Sequence, residues 1–196
     1  DAACALVYKG GCRSIVATCL SAQGTGARVN LVTPAQCANY PAPAALARAR
    51  QPDVEAIIRS TGFFHNKAKN LIAMAQAVVA EHAGEVPRTM EQLHALPGVG
   101  RKTANVVLGN AFGINEGVTV DTHVGRLSLR LRLTGHDDPV KVEQDLMALI
   151  PREDWTLISH LLIFHGRQIC IARRPKCNEC VLADVCPSYE LLRPRE

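Results

Sequence analysis

Four cysteines lie within the last 27 residues of the 196-residue chain, with six, two and five residues between them. Four thiolates in a short segment can ligate zinc or an iron–sulfur cluster. Zinc ribbons favour two Cys-x-x-Cys pairs, and this segment has only one, while paired disulfides would be unusual in an intracellular protein. The spacing therefore predicts a metal centre and leaves the metal open; its ligands would be Cys170, Cys177, Cys180 and Cys186.

A glycine-rich turn, Leu96-Pro97-Gly98-Val99-Gly100, stands between a short predicted helix around Leu93 and an apolar helix that follows it. Two glycines separated by one residue allow positive φ and leave the backbone amides open to an anion. The second helix would present its N-terminal N–H groups to the same anion. Pro-Gly is also ordinary turn chemistry, so a simple connection between two helices is the alternative.

Lys102 and Asp121 are the two side chains in this part of the sequence that could act on a substrate. Lys102 falls in the first turn of the second hairpin helix, where the helix dipole and Arg101 disfavour a protonated amine. A neutral amine is a nucleophile. Asp121 precedes another helical stretch, Val124 to Leu133, and is also a plausible N-cap. Each residue alone has an ordinary structural interpretation.

The elements that would position these residues are helices, because helical spacing recurs along the chain and alternation typical of strands does not. One apolar stripe predicts a helix over 66–82 that stops at Gly84. Thr89 and Gln92 have capping-box spacing, and Asp53 is a predicted cap of a short helix. Asp138 and Pro139 begin a helix whose predicted inner face is Val142, Leu146, Leu149 and Ile150. The predicted fold class is all-α.

Composition excludes a disordered chain and leaves the partner open. The chain is 47% apolar, its formal charge is +4 and its pI is near 8.7, which is compatible with a polyanionic partner but does not require one. No run approaches the roughly 20 apolar residues of a membrane span. We therefore expect no membrane partner and an intracellular protein.

The hairpin string, the pair of Lys102 with Val120-Asp121-Thr122-His123, and the cysteine spacing together resemble the endonuclease III family of DNA glycosylases. The resemblance implies two α-helical lobes and a [4Fe-4S] cluster. It places a helical barrel over residues 5–114, with the helix-hairpin-helix at about 89–111, and an iron–sulfur lobe over 1–4 and 115–196, with the cluster loop at 170–186.

By this resemblance, the protein is a bifunctional DNA glycosylase and lyase of base excision repair that acts on oxidised pyrimidines in duplex DNA. Lys102 would attack the sugar C1′ of the damaged nucleotide, expel the base and form a Schiff base that permits β-elimination of the 3′ phosphate. Asp121 would face Lys102 and stabilise the positive charge on the sugar. Monofunctional relatives lack a lysine at this position. A monomer acting in the bacterial cytoplasm, at the nucleoid, is expected.

The resemblance also implies DNA contacts. Gln23 would fill the space left by an extruded nucleotide, and Phe63 would act as an apolar wedge, although a core aromatic is the alternative for Phe63. The hairpin would hold the DNA backbone, with a monovalent cation at its carbonyls, through Leu96, Gly98, Val99 and Gly100. The basic loop between the first two cysteines would contact phosphate through Arg173, Arg174 and Lys176.

The sequence departs from the family in two places, and two other classes of protein stay open. Gly24-Thr25-Gly26 stands where relatives often have Thr-Asp, and Gly10-Gly11-Cys12 replaces a Pro-aromatic entry to the first helix. A noncatalytic DNA-binding module would share the hairpin but has no need for both Lys102 and Asp121. A zinc-stabilised interaction protein would be colourless, whereas the cluster absorbs near 400 nm.

Overall fold

Helices form every regular element in the part of the chain that the structure describes. The computed structural model describes residues 11–21 and 26–192, and within these ranges it contains no β-strand. The all-α prediction is confirmed. The helices are α1 (Gly11–Ser21), α2 (Gly26–Asn39), α3 (Pro43–Ala47), α4 (Gln51–Ile58), α5 (Phe64–Glu81), α6 (Met90–Ala95), α7 (Arg101–Val107), α8 (Thr122–Arg130), α9 (Pro139–Leu149), α10 (Trp155–Gln168) and α11 (Tyr189–Leu192).

Local capping signals fix several helix ends where the sequence predicts them. Thr89 Oγ1 accepts the N–H of Gln92 at 3.3 Å and begins α6. Asp138 Oδ1 accepts the N–H groups of Val140 and Lys141 at 3.1 and 3.0 Å and begins α9. Beyond α5, Gly84 adopts φ +81° and donates its N–H to the carbonyl of Val78 at 3.0 Å. These side chains and the glycine satisfy backbone groups that a helix end leaves unpaired.

Two predicted helix details are wrong. Asp53 does not cap α4, because the helix already begins at Gln51 and Asp53 lies in its first turn, paired with Arg50 at 2.8 Å. Leu149 does not belong to the inner face of α9, since it is 58% exposed while Val142 and Leu146 are fully buried. The stripe of α9 is therefore narrower than the sequence suggests.

The chain forms two compact units that meet in the sequence between Ile114 and Asn115. In the unit that ends at Ile114, α1 packs on α2, α5 and α7, and α5 also packs on α3 and α4. Its core includes Ile15 and Leu20 of α1 and Leu71 of α5, which are at most 1% exposed. Burying each such side chain stabilises the fold by about 1.5–3 kcal/mol.

The unit that starts at Asn115 has a separate core under α8, α9 and α10. Its fully or almost fully buried apolar residues are Val118, Val124, Leu127, Val142, Leu146 and Leu162. Ser159 of α10 lies in the same core and accepts the backbone N–H of Thr119 at 2.9 Å. Among the described helices, none is both long and apolar enough to cross a membrane.

Candidate active site and metal centre

The hairpin between α6 and α7 is a tight turn whose apolar side chains point inward. Leu96 and Val99 are buried, and the N–H of Val99 donates to the carbonyl of Leu96 at 3.1 Å. Gly100 then takes the N-cap position, and its carbonyl accepts the N–H of Ala104 at 3.0 Å. The buried side chains anchor the turn, so any contact that Leu96 or Val99 makes outside the protein must use backbone atoms.

The two hairpin glycines are required for different reasons. Gly98 has φ +76°, and a Cβ atom built there would lie 2.8 Å from Cβ of Asn70, so both its backbone and its surroundings exclude a side chain. Gly100 has an ordinary φ of −84° and no heavy atom within 4 Å of such a Cβ. The fold does not explain the glycine at position 100, whereas an approaching ligand would.

Lys102 is exposed in the first turn of α7, directly after this turn. The inner face of this helix is held in the core by the buried side chains of Ala104 and Val107. The helix continues as a π-helical segment, Leu108–Phe112, that ends at Gly113 with φ +67°. The amine therefore extends from a rigid, well-packed element toward solvent. Rigid support is what a nucleophile needs to meet its target in one geometry.

Asp121 is the N-cap of α8, as the sequence predicts. Its Oδ1 accepts the backbone N–H of His123 at 2.8 Å and that of Val124 at 2.9 Å. Both capping bonds use the same oxygen, so the cap fixes the carboxylate and makes no use of Oδ2. Asp121 belongs to the unit that starts at Asn115, and Lys102 to the other.

Phe63 lies on the surface and is not the core aromatic that was its alternative interpretation. The side chain is 67% exposed, and the backbone at Phe63 is left-handed, with φ 56° and ψ 34°, at the N-cap of α5. A bulky residue in this conformation is uncommon and costs free energy. A strained backbone and an exposed aromatic ring at the same position indicate that Phe63 has a functional role and not a structural one. Gln23, the proposed filler, lies outside the described residues.

The four clustered cysteines line one cavity of the unit that starts at Asn115. Leu127, Arg130 and His165 line the same cavity. The Cys180 sulfur lies 3.4 Å from Nε2 of His165 and accepts the N–H of Leu182 at 3.4 Å. The four thiols that the sequence groups by spacing therefore lie around one cavity.

The donor set fits an iron–sulfur cluster better than one metal ion. Zinc–sulfur bonds of about 2.3 Å require four sulfurs to meet around one point, whereas the four cysteines here are distributed along the lining of a cavity. Each thiolate of a [4Fe-4S] cluster binds a different iron, so the ligands surround a larger volume. Burial, and then repulsion by the other three thiols, raises the pKa of Cys177, so four thiolates together need positive charge among them.

The loop from Cys170 to Cys177 turns its cations outward. The N–H of Lys176 donates to the carbonyl of Ile169 at 2.9 Å and closes the loop, and Lys176 also lies 3.9 Å from Glu179. Arg173, Arg174 and Lys176 are all exposed. The predicted basic surface is therefore accessible.

Several positioning residues were not found by sequence reasoning. Arg126 donates to the carbonyls of Gly166 and Cys170 at 2.9 and 3.0 Å, and Arg130 contacts the cluster loop as well. The two arginines are four residues apart and share a face of α8, which was the available signal. Lys67 of α5 donates to the carbonyl of Leu20 at 2.8 Å, and its burial lowers the pKa of the amine. No local pattern indicates this contact, because its partners are 47 residues apart in the sequence.

Two family models match this chain, one over a region that includes the hairpin and the other over the cysteine segment. The family model "HhH-GPD superfamily base excision DNA repair protein" matches residues 16–152. A second family model, the "iron-sulfur binding domain of endonuclease III", matches residues 170–186. The second match begins and ends at cysteines that line the cavity.

Curated relatives and solved structures match over most of the chain. Endonuclease III of Synechocystis sp. is 56% identical over 96% of this chain and 86% of its own, and endonuclease III of Bacillus subtilis is 43% identical over 94% and 84%. The structure of a trapped endonuclease III–DNA covalent intermediate aligns with a TM-score of 0.92 at 41% identity, covering 97% of this chain and 90% of that chain. A thermostable thymine-DNA glycosylase, at 22% identity and a TM-score of 0.86, shares the fold.

The fold and the two matched domains define a helix-hairpin-helix base excision repair protein with an iron–sulfur domain. Within that superfamily, the chain belongs to the endonuclease III family. The protein is accordingly a DNA glycosylase with lyase activity at abasic sites, and it carries a [4Fe-4S] cluster. The expectations of family, fold class, enzyme activity and cofactor are confirmed.

Proposed function

We propose that the protein removes oxidised pyrimidines from damaged duplex DNA through Lys102 and cleaves the strand 3′ to the abasic site. The observation that carries the proposal is the exposed Lys102 amine, held in the first turn of α7 directly after an anchored glycine hairpin. Membership of the endonuclease III family supports the substrate class and the reaction. The protein acts as a monomer.

Lys102 is the nucleophile of this reaction. Its Nζ attacks C1′ of the damaged nucleotide, the C1′–base bond breaks, and the base leaves with the electron pair of that bond and a proton. Loss of a further amine proton and opening of the sugar ring give a Schiff base between C1′ and Nζ. Removal of a C2′ proton then expels the 3′ phosphate by β-elimination, and water releases the sugar fragment from Lys102.

Asp121 stabilises the positive charge that develops on the sugar and helps to move protons around Lys102. Its capping bonds from His123 and Val124 hold the carboxylate in one orientation. A fixed anion costs no reorganisation when the charge forms.

The hairpin grips the DNA backbone without reading sequence. Gly98 and Gly100 place no side chain between their backbone atoms and a ligand, and the buried side chains of Leu96 and Val99 hold the turn in place. Phosphate would meet backbone N–H groups here, and hairpin carbonyls would hold a monovalent cation beside it. The open space at Gly100 is the part of the geometry that favours this role.

Extrusion of the target nucleotide is assisted by Phe63 and Gln23. Unstacking a nucleotide costs a few kcal/mol, so side chains that occupy the space lower the barrier. Phe63 is exposed and strained on the surface, which suits an apolar wedge. Gln23 has the sequence context of the family's filler residue.

The cluster is held by Cys170, Cys177, Cys180 and Cys186, which together line its cavity. When bound, it supplies four positively charged irons that stabilise the thiolates and tie the segment together. The loop between the first two ligands then presents Arg173, Arg174 and Lys176 to phosphate. We place the protein at the nucleoid in the bacterial cytoplasm, because the relatives above are bacterial and the substrate is DNA.

The test is borohydride trapping on duplex DNA that contains thymine glycol. The unaltered protein should give a covalent adduct, because borohydride reduces the Schiff base to a stable amine, and Lys102→Ala should give none. Lys141→Ala is the matched control, since Lys141 is an exposed lysine of α9, and it should trap normally. Excision without trapping would favour a water-based glycosylase, and binding without either reaction would favour a noncatalytic DNA-binding module.

A further inference from the structure

Arg130 links α8 to both ends of the cluster segment. Its Nη1 contacts the Cys170 sulfur at 3.2 Å and donates to the carbonyls of Cys170 and Ile171 at 3.4 and 3.0 Å. Its Nη2 donates to the carbonyl of Ala172 at 2.8 Å. Its own carbonyl accepts the hydroxyl of Ser188 at 2.7 Å, beyond the last cysteine.

We propose that Arg130 is a positioning residue for the iron–sulfur cluster, which orients Cys170 and stabilises the negative charge on its sulfur. The proposal rests on the assignment of Cys170 as a cluster ligand. Outer groups that orient the ligands of a metal centre also tune it. Arg130 supplies both effects from one side chain.

The three carbonyls hold the guanidinium independently of the sulfur. Nη1 carries two hydrogens but has three acceptors, so at least one hydrogen is shared between two of these acceptors. The carbonyls of Ile171 and Ala172 give the two shortest contacts, and they fix the plane of the guanidinium. The charge beside Cys170 therefore stays in place whatever the sulfur binds.

A fixed cation at the sulfur changes the cluster in a definite direction. Hydrogen bonds to the sulfurs and local charge help to set the reduction potential of an iron–sulfur cluster. Gaining an electron makes the cluster more negative, and a neighbouring positive charge stabilises that state more than the oxidised one. Arg130 thus raises the reduction potential and slows loss of the cluster.

The contrast with Arg126 separates sulfur contact from loop anchoring. Arg126 lies one helical turn earlier in α8 and bonds to the carbonyls of Gly166 and Cys170, with His123 Nδ1 at 3.3 Å. None of these contacts is to a cysteine sulfur. Arg130 is therefore the arginine of α8 whose substitution should change the cluster itself.

The experiment compares Arg130→Met, Arg130→Lys and the charge-matched control Lys141→Met in the full chain. The decay of absorbance near 400 nm in air with an iron chelator measures cluster loss, and an electrode measures the midpoint potential; circular dichroism checks folding. Arg130→Met should lose its cluster about tenfold faster and have a more negative potential. Arg130→Lys keeps the charge but not the planar fork, so its potential should lie between those of the unaltered protein and Arg130→Met. The control should match the unaltered protein.

Three results would contradict the proposal. If Arg130→Met folds and its cluster decay and midpoint potential are unaltered, Arg130 has no role at the cluster. If its cluster decays faster but the midpoint potential is unchanged, Arg130 only anchors the loop. If Arg130→Met cannot hold a cluster, Arg130→Lys decides: unaltered decay and potential there would show that the positive charge alone suffices and would contradict the orienting role of the planar guanidinium. A Cys170→Ser protein that keeps full iron content and an unaltered spectrum would instead refute the assignment of Cys170 as a ligand.

Discussion

At the scale of single residues, Asp121 has both a structural and a proposed catalytic role. Its Oδ1 caps α8, whereas the proposed reaction needs its negative charge. Asparagine caps helices about as well as aspartate but carries no charge. The two roles can therefore be separated by substitution.

We expect Asp121→Asn to keep the fold and lose activity. The free energy of unfolding should change by less than about 0.5 kcal/mol because the cap is retained, while the rate of adduct formation should fall about 100-fold or more. Asp138→Ala is the opposite control, since Asp138 caps α9 with the same pair of backbone bonds. It should cost about 1 kcal/mol of stability and leave activity unchanged. Full activity in Asp121→Asn would show that Asp121 is only a cap.

Phe63 combines a strained backbone with an exposed ring, so stability and activity should respond to its substitution in opposite directions. In Phe63→Gly, the left-handed backbone at φ 56° is no longer strained and little apolar burial is lost. The protein should be more stable by about 0.5–1 kcal/mol. Its kcat/KM on a lesion duplex should fall roughly tenfold, the equivalent of about 1.4 kcal/mol of the cost of extrusion.

Ala83→Gly is the control for this experiment, because Ala83 has φ 52° at the other end of α5. Thermal denaturation should show a similar gain in stability, and activity should not change. If Phe63→Gly kept full activity, Phe63 would not be the wedge.

At the scale of elements, the hairpin makes different demands on its two glycines. Gly98→Ala should destabilise the protein by about 1–3 kcal/mol, because φ is +76° and the new Cβ would meet Asn70. Gly100→Ala should leave stability unchanged but weaken DNA binding roughly tenfold, about the worth of one hydrogen bond to a charged group. Thermal denaturation and titration with labelled duplex would measure the two effects.

Gly135→Ala is the control for the hairpin, since Gly135 also has open space around its Cβ position. Gly135→Ala should change neither the thermal stability nor the affinity for DNA. Unaltered DNA affinity in Gly100→Ala would mean that phosphate does not approach the turn at this point.

At the scale of the whole molecule, the net charge of +4 is too small to explain tight DNA binding by itself, so local groups of cations must carry the contact. Arg173 and Arg174 form one such group. In the double variant Arg173→Ala/Arg174→Ala, the slope of log K against log salt should become less steep by about two, one for each lost phosphate contact. Lys141→Ala is the control and should keep the original slope. An unchanged slope in the double variant would show that the basic loop does not contact DNA.

The sequence by itself determined the features that depend on neighbouring residues. The caps at Thr89, Asp121 and Asp138 and the stop at Gly84 follow from hydrogen bonds or backbone angles within a few residues. The cysteine spacing and the hairpin string, through their likeness to a family, also determined the cofactor and the reaction. Leu149 shows the limit of periodicity, since an apolar residue at the edge of a stripe is buried only if a neighbouring element covers it.

Tertiary structure alone decided which distant groups meet. The contact of Arg130 with Cys170 spans 40 residues, and that of Lys67 with Leu20 spans 47; both depend on how helices pack, which no local pattern specifies. It also decided that Phe63 is exposed and that Gly100 is open to a ligand while Gly98 is closed by Asn70. Local free-energy preferences act over one or two helical turns, whereas burial and long-range hydrogen bonds exist only once the core has formed.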